Sequence, residues 1–211
     1  MKLAFCSEDR SDDEILRVLA ERILGEAVEA VANNLVMRRS GGWQEALRIA
    51  PNIARAVFFT EAHGAVFVID NDGAPPHDGA HTKARLAGCR LCALEVAAAV
   101  HEVSKWSRPA LPPLQFVFAV PVQMLETWLL VADKRFPQNR QPQVFGTTSE
   151  ERRELKKTLY GNERAPREER LRVCLPIAQR FDVDALSKQS PSFSDFGQQL
   201  RAAQNALRTV P

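Results

Sequence analysis

The chain has 211 residues, enough for one well-buried core and short for two independent domains. Its 45% hydrophobic and 26% charged residues are those of an ordinary folded protein, which excludes disorder over most of the length. The 28 Lys and Arg against 26 Asp and Glu leave a net charge of +2, so overall charge does not announce a nucleic-acid binder and any basic surface has to be local.

In chain order, Leu3 to Cys6 is a short apolar segment that Ser7-Glu-Asp-Arg-Ser-Asp-Asp-Glu14 breaks with a dense acidic loop, the pattern of a strand followed by a helix start. Ser11 with Glu14 three residues on has the capping-box spacing and predicts the N-cap at Ser11. Ile15, Leu16, Val18, Leu19, Ile23 and Leu24 then recur at helical periodicity. Asn34 to Met37 is a candidate second strand, Ser40-Gly-Gly42 a flexible connection, and Trp43 to Phe58 a further helix. Val66 to Ile69 reads as a buried central strand, Pro75 to Gly79 as a loop and His81 to Trp106 as one long Ala-rich helix. Pro109 to Pro113 is a stiff linker. Gln115 to Val120 is a second buried strand, followed at once by a helix from Val122 to Lys134. After Phe136 a Pro/Gln/Asn-rich loop leads into charged helical segments. Strands alternating with helices predict an α/β fold with a mostly parallel central sheet of about four strands flanked by helices. The expected division is a core over 1–136 and a helical C-terminal extension over 137–211 packed on it.

No basic segment followed by an apolar one stands at Met1, and no apolar run approaches the roughly 18 residues that span a bilayer. A cytoplasmic protein without membrane contact is expected. Of Cys6, Cys89, Cys92 and Cys174, only Cys89-Arg-Leu-Cys92 has a CxxC spacing. It falls inside an apolar helical pattern, so packing thiols are expected; a redox pair belongs at a helix start, and zinc needs two further ligands.

The segment Gly64-Ala-Val-Phe-Val-Ile-Asp-Asn-Asp-Gly73 carries the chemistry. An apolar run ends in Asp70 and Asp72, either as an ordinary Asp-Gly turn or as a strand end loaded with acid. In open α/β sheets ligands bind at that carboxyl edge, and two neighbouring carboxylates call for a cation or a shared proton. Glu8 follows the first strand and Glu126 opens the helix after the last, so parallel neighbours bring all four acids to one edge. Oxygen donors of this kind point to Mg²⁺ or Mn²⁺ and to phosphoryl transfer or phosphodiester hydrolysis.

These residues carry a family resemblance. Glu8-Asp-Arg-Ser-Asp12 is similar to the Glu-Gly-x-Ser/Thr-Asp segment that ends the first strand of Toprim domains, and Asp70-Asn-Asp72 resembles their Asp-x-Asp motif. Met124-Leu-Glu-Thr-Trp-Leu-Leu-Val-Ala-Asp133 resembles the Glu-x-Trp-Leu-x-x-Asp segment of a family of small Toprim-like proteins related to RloB-like proteins and to the nuclease half of OLD proteins. Ser190-Pro-Ser-Phe193, with Phe196 and Leu200, resembles that family's C-terminal segment. The resemblance implies a Toprim-like (Rossmann-like) sheet and a Mg²⁺-dependent nuclease acting on DNA or RNA. It further implies an ATPase partner in phage defence. Glu8 would serve as general acid/base or metal ligand, and Asp70 and Asp72 as metal ligands. Glu126 itself reads either as an outer ligand or water-positioning base, or as a helix N-terminal acid that suits the dipole. The glycine usual after the first acid is Asp9 here.

Lesser candidates surround this set. Ser11 and Asp12 belong to the first motif, and Asp133 shares a helix face with Glu126. His77, His81 and Lys83 follow the Asp-x-Asp segment closely enough to meet a phosphate. The basic run Arg152 to Lys157 fits a solvated helix face or a phosphate contact. Two other readings stay open: a haloacid-dehalogenase-like phosphatase, whose motif belongs on a first strand, and a non-catalytic Toprim binding module. A homo-oligomer is compatible with every reading.

Overall fold

The computed structural model describes residues 1–32, 42–71, 74, 77, 88–98, 106–108, 111–121, 124–137, 140 and 148–209. The expected strand at Asn34 to Met37 lies outside these residues, as do Asp72, His81 and Lys83.

Among the described residues the order is β1 (Lys2–Cys6), α1 (Arg10–Leu24), β2 (Glu29–Ala30), α2 (Gly42–Phe58), β3 (Gly64–Val68), α3 (Arg90–Ala97), β4 (Gln115–Ala119) and α4 (Leu125–Ala132). Four helices follow: α5 (Ser149–Tyr160), α6 (Arg167–Arg180), α7 (Val183–Gln189) and α8 (Pro191–Arg208). The four strands form one sheet in the order β2-β1-β3-β4, every pair parallel. This is the α/β, Rossmann-like architecture that the alternation of strands and helices predicts.

Strand side chains alternate between two cores, as a pleated sheet requires. Leu3, Phe5, Val66, Val68, Val117 and Ala119 face α1 and the helices from α4 onward. Ala4, Cys6, Ala65, Phe67, Ile69 and Phe118 face α2 and α3. Both faces of β3 are therefore covered, which is why its sequence is a continuous apolar run. At its start a β-carbon on Gly64 would lie 3.0 Å from Leu3 Cδ2 and 3.2 Å from the Gln115 carbonyl, so glycine lets both neighbouring strands close in without either giving way.

The C-terminal helices are integral to the first core. α6 and α8 pack on α1, α8 also lies against β4, and α4 is embraced by α5, α6 and α7. Trp128 is fully buried between Phe193 and Phe196, with ring centroids at 5.3 and 5.7 Å, and its Nε1 donates to Ser192 Oγ at 2.9 Å. The Glu-x-Trp and Pro-Ser-Phe segments thus meet as one aromatic cluster. Gln199 of α8 accepts from the Phe118 N–H at 2.8 Å and donates to the Phe118 carbonyl at 3.0 Å. Its amide stands where another strand would pair, which blunts the β4 edge.

Three local expectations are corrected. The N-cap of α1 is Asp9, not Ser11: Asp9 is extended (φ −135°, ψ 138°) and its carboxylate accepts from the Ser11 N–H. A carboxylate two residues ahead takes that first-turn donor, and Glu14 pairs with Arg167 instead of closing a capping box. The long helix from His81 does not run through: Gly88 is a turn and Cys89 is the extended N-cap of α3. A mid-helix glycine costs about 1 kcal/mol relative to alanine, and the chain breaks there. Finally, the last helix of the α/β half begins at Leu125 rather than Val122, because Met124 is still extended.

Candidate functional site

Pairing of Cys6 with Phe67 and of Val68 with Ala119 brings the carboxyl ends of β1, β3 and β4 level. Glu8 and Asp70 emerge from adjacent strands at this edge, and the Asp70 N–H donates to Glu8 Oε1 at 3.3 Å. Both residues are half-buried. Asp70 also lines a cavity of about 470 Å³ together with Arg152, Arg153, Lys156 and Arg164. The basic run of α5 is therefore not a uniformly solvated face: Arg152, Arg153 and Lys156 line the same cavity as Asp70. Glu163 is the other acid of that lining and is held by Lys157 at 2.8 Å.

Behind this edge lies a second polar group that the sequence does not announce. Arg170 of α6 forks across the first turn of α1, with Nη1 donating to Asp9 Oδ2 at 3.0 Å and Nη2 to Asp12 Oδ1 at 2.6 Å. Asp9 Oδ1 accepts from the Ser11 N–H at 2.9 Å and from Ser11 Oγ at 2.8 Å. The Asp9 side chain is thus turned toward the helix cap and Arg170, and its extended backbone does not demand glycine. Ser7, just before Glu8, donates through its N–H at 3.2 Å and its Oγ at 2.6 Å to Asp13 Oδ1.

Glu126 is 4% exposed, and its Oε1 accepts from Tyr160 Oη at 3.2 Å. Tyr160 in turn takes the Cys174 thiol at 3.5 Å. Burial pushes the Tyr160 hydroxyl far above its ordinary value and the Cys174 thiol up to about 12, so both stay protonated. Burial works against the Arg170 charge, yet Asp12 and Glu126 hold it firmly protonated. Burial also raises the Asp12 carboxyl, with Arg170 drawing it back toward the charged form and Glu126 adding to the rise.

The expected residues therefore divide. Glu8 and Asp70 meet; Ser11 and Asp12 belong to the Arg170 group; Glu126 faces Tyr160. Asp133 sits past the end of α4 in an ion pair with Arg135. His77 lies near Cys89 and Cys92, with Nδ1 at 3.4 and 3.7 Å from their sulfurs. Among the described residues these three are the side chains that converge as a candidate metal trio.

No family model, curated protein or solved structure matches this chain. Among the described residues no helix is long and apolar enough to cross a membrane. Sequence reasoning missed Arg170, Tyr160 and Arg164, which lie far along the chain from the acids they accompany and follow no short motif.

Proposed function

We propose that this protein is a divalent-metal-dependent phosphodiesterase acting on nucleic acid. The observation that carries the reading is the cavity that Asp70 lines together with Arg152, Arg153, Lys156 and Arg164. A polyanion entering there meets four cations and a strand-end carboxylate, the combination that phosphate chemistry needs.

The donor set fits a hard cation. Glu8 and Asp70 offer carboxylate oxygens from adjacent strands, and Asp72, outside the described residues, is proposed as a third ligand from the Asp-x-Asp pattern alone. Mg²⁺ or Mn²⁺ held there would supply neutralisation of phosphate charge and activation of water. The chain's own groups do the rest. Arg152, Arg153, Lys156 and Arg164 bind and orient the phosphate backbone. The Asp70 N–H fixes the Glu8 carboxylate so that it can ligate or accept a proton. Glu126, buried on Tyr160, is assigned as a positioning residue: through Tyr160 and the neighbouring Arg170 it holds the α1 terminus that follows Glu8. The ATPase partner, the defence role and the Toprim relationship rest on the sequence resemblance.

The test is cleavage of plasmid, linear duplex, single-stranded DNA and RNA by the purified chain with Mg²⁺ or Mn²⁺, with and without ATPases that co-purify with it. Cleavage of at least one substrate is expected, abolished by chelator and lowered by about 100-fold or more in Asp70→Asn. Intact substrates throughout, or an Asp70→Asn protein that cuts as fast as the wild type, would overturn the reading.

A further inference from the structure

We propose that His77, Cys89 and Cys92 form a second, chemically distinct metal site, one that takes a thiophilic divalent cation such as Zn²⁺. The three ligand atoms lie within 4.8 Å of one another. His77 Nδ1 stands 3.4 Å from Cys89 Sγ and 3.7 Å from Cys92 Sγ. A tetrahedral Zn²⁺, with bonds of about 2.3 Å to sulfur and about 2.05 Å to nitrogen, sets the nitrogen–sulfur edge at about 3.6 Å. Both edges therefore stand at the spacing that one ion between them requires. Without metal the same contacts are thiol–imidazole and thiol–thiol hydrogen bonds, Cys92 bonding Cys89 as well as His77; a metal ion replaces them with ligand bonds at this spacing.

Local structure explains the convergence. Cys89 is the N-cap of α3 and Cys92 lies one turn on, so the pair shares a helix face. His77 reaches them from the chain that leaves β3 after Asp70. Cys89 is buried, Cys92 half-buried and His77 exposed, which gives an ion a way in. His77 and Cys89 also line a cavity of about 120 Å³ shared with Asn71, Ser192, Asp195 and Gln199. A fourth ligand, water or the Asp195 carboxylate, has room there.

Two thiolates and an imidazole are soft to borderline donors, whereas Glu8 and Asp70 are hard, so the two sites select different metals. The trio also does not depend on the phosphodiesterase reading. Bound metal would tie His77, in the chain after the Asp70 edge, to the start of α3.

The experiment loads the full chain, purified under reducing conditions, with Zn²⁺ or Co²⁺, dialyses it and measures metal content and the Co²⁺ absorption spectrum. About one equivalent per chain is expected, with a thiolate-to-cobalt charge-transfer band. Cys92→Ser and His77→Ala, at accessible positions, should each lower retained metal to about a tenth or less and remove or shift the band, whereas Cys6→Ala should keep both. Circular dichroism of each variant separates loss of a ligand from loss of the fold. A folded wild type that retains less than about a tenth of an equivalent, or a Cys92→Ser protein that retains as much as the wild type, would overturn the proposal. So would a Cys89–Cys92 disulfide found in the metal-loaded, reduced protein. Nuclease activity enters none of these readouts, so the site can fail while the phosphodiesterase stands, and the reverse.

Discussion

The backbone N–H of Asp70 donates to the Glu8 carboxylate at 3.3 Å, tying the ends of β1 and β3 and setting two acids side by side at the sheet edge. Glu8→Gln keeps an acceptor oxygen for that bond and removes one of two neighbouring negative charges. Without divalent cations its melting temperature should equal or exceed that of the wild type. In millimolar Mg²⁺ the wild type should gain stability by mass action and the variant should not. Thermal unfolding with and without Mg²⁺ reads both effects.

The cations that share the cavity with Asp70 should act on affinity rather than on stability. Arg152→Glu with Lys156→Glu is expected to weaken nucleic-acid binding by about 10- to 1,000-fold at physiological salt and to flatten the salt dependence by roughly one unit of slope for each phosphate no longer neutralised. Both side chains are half-buried in the lining of an open cavity, so the unfolding free energy should move by no more than about 1 kcal/mol. Fluorescence anisotropy against labelled single strands over a salt series tests this. Unchanged binding would assign the cavity to another ligand.

Arg170 holds two carboxylates whose side chains, like its own, are less than one-fifth exposed. Arg170→Ala strands Asp9 and Asp12 at the α1 terminus and is expected to cost about 3 kcal/mol in urea unfolding at slightly alkaline pH. Near pH 5 the loss should shrink, because burial already favours a proton on Asp12. Arg170→Lys should recover less than half, since one ammonium does not fork to both acids.

Asp13 gives stability a pH dependence of unusual sign for an acid. Burial lifts its carboxyl from 3.8 to about 6 despite the hydrogen bonds from Ser7, which favour the charged form. The folded state then binds more protons than the unfolded chain between those values, so this contribution is full below about pH 4 and is lost as pH rises through about 6. Wild-type unfolding free energy should fall by up to about 2 kcal/mol across that window from this group, and Asp13→Asn should flatten the fall. Urea denaturation from about pH 4 to pH 7 measures it; a wild-type curve that rises across the window would contradict the assignment.

The sheet was legible because β1, β3 and β4 are apolar runs buried on both faces, and the Glu8–Asp70 juxtaposition followed from parallel strands ending level. β2 was not, because Glu29 and Ala30 are exposed and carry no apolar alternation. Asp9 capping α1 in place of Ser11 turned on which acceptor reaches a single N–H. The Arg170 fork joins residues 158 and 161 positions apart, and nothing in the local sequence of α6 marks that arginine among its neighbours. Cys89-Arg-Leu-Cys92 looked like helix interior because Ala and Leu surround it, whereas Gly88 is a turn and Cys89 the extended N-cap of α3.

A crystal structure with Mn²⁺ soaked in and anomalous scattering recorded tests the central claim most directly. The prediction is anomalous density in contact with the Glu8 and Asp70 carboxylates, at the mouth of the cavity walled by Arg152 and Lys156, and its loss in Asp70→Asn. Density found only at His77, Cys89 and Cys92, or an empty carboxylate edge at saturating Mn²⁺, would contradict it.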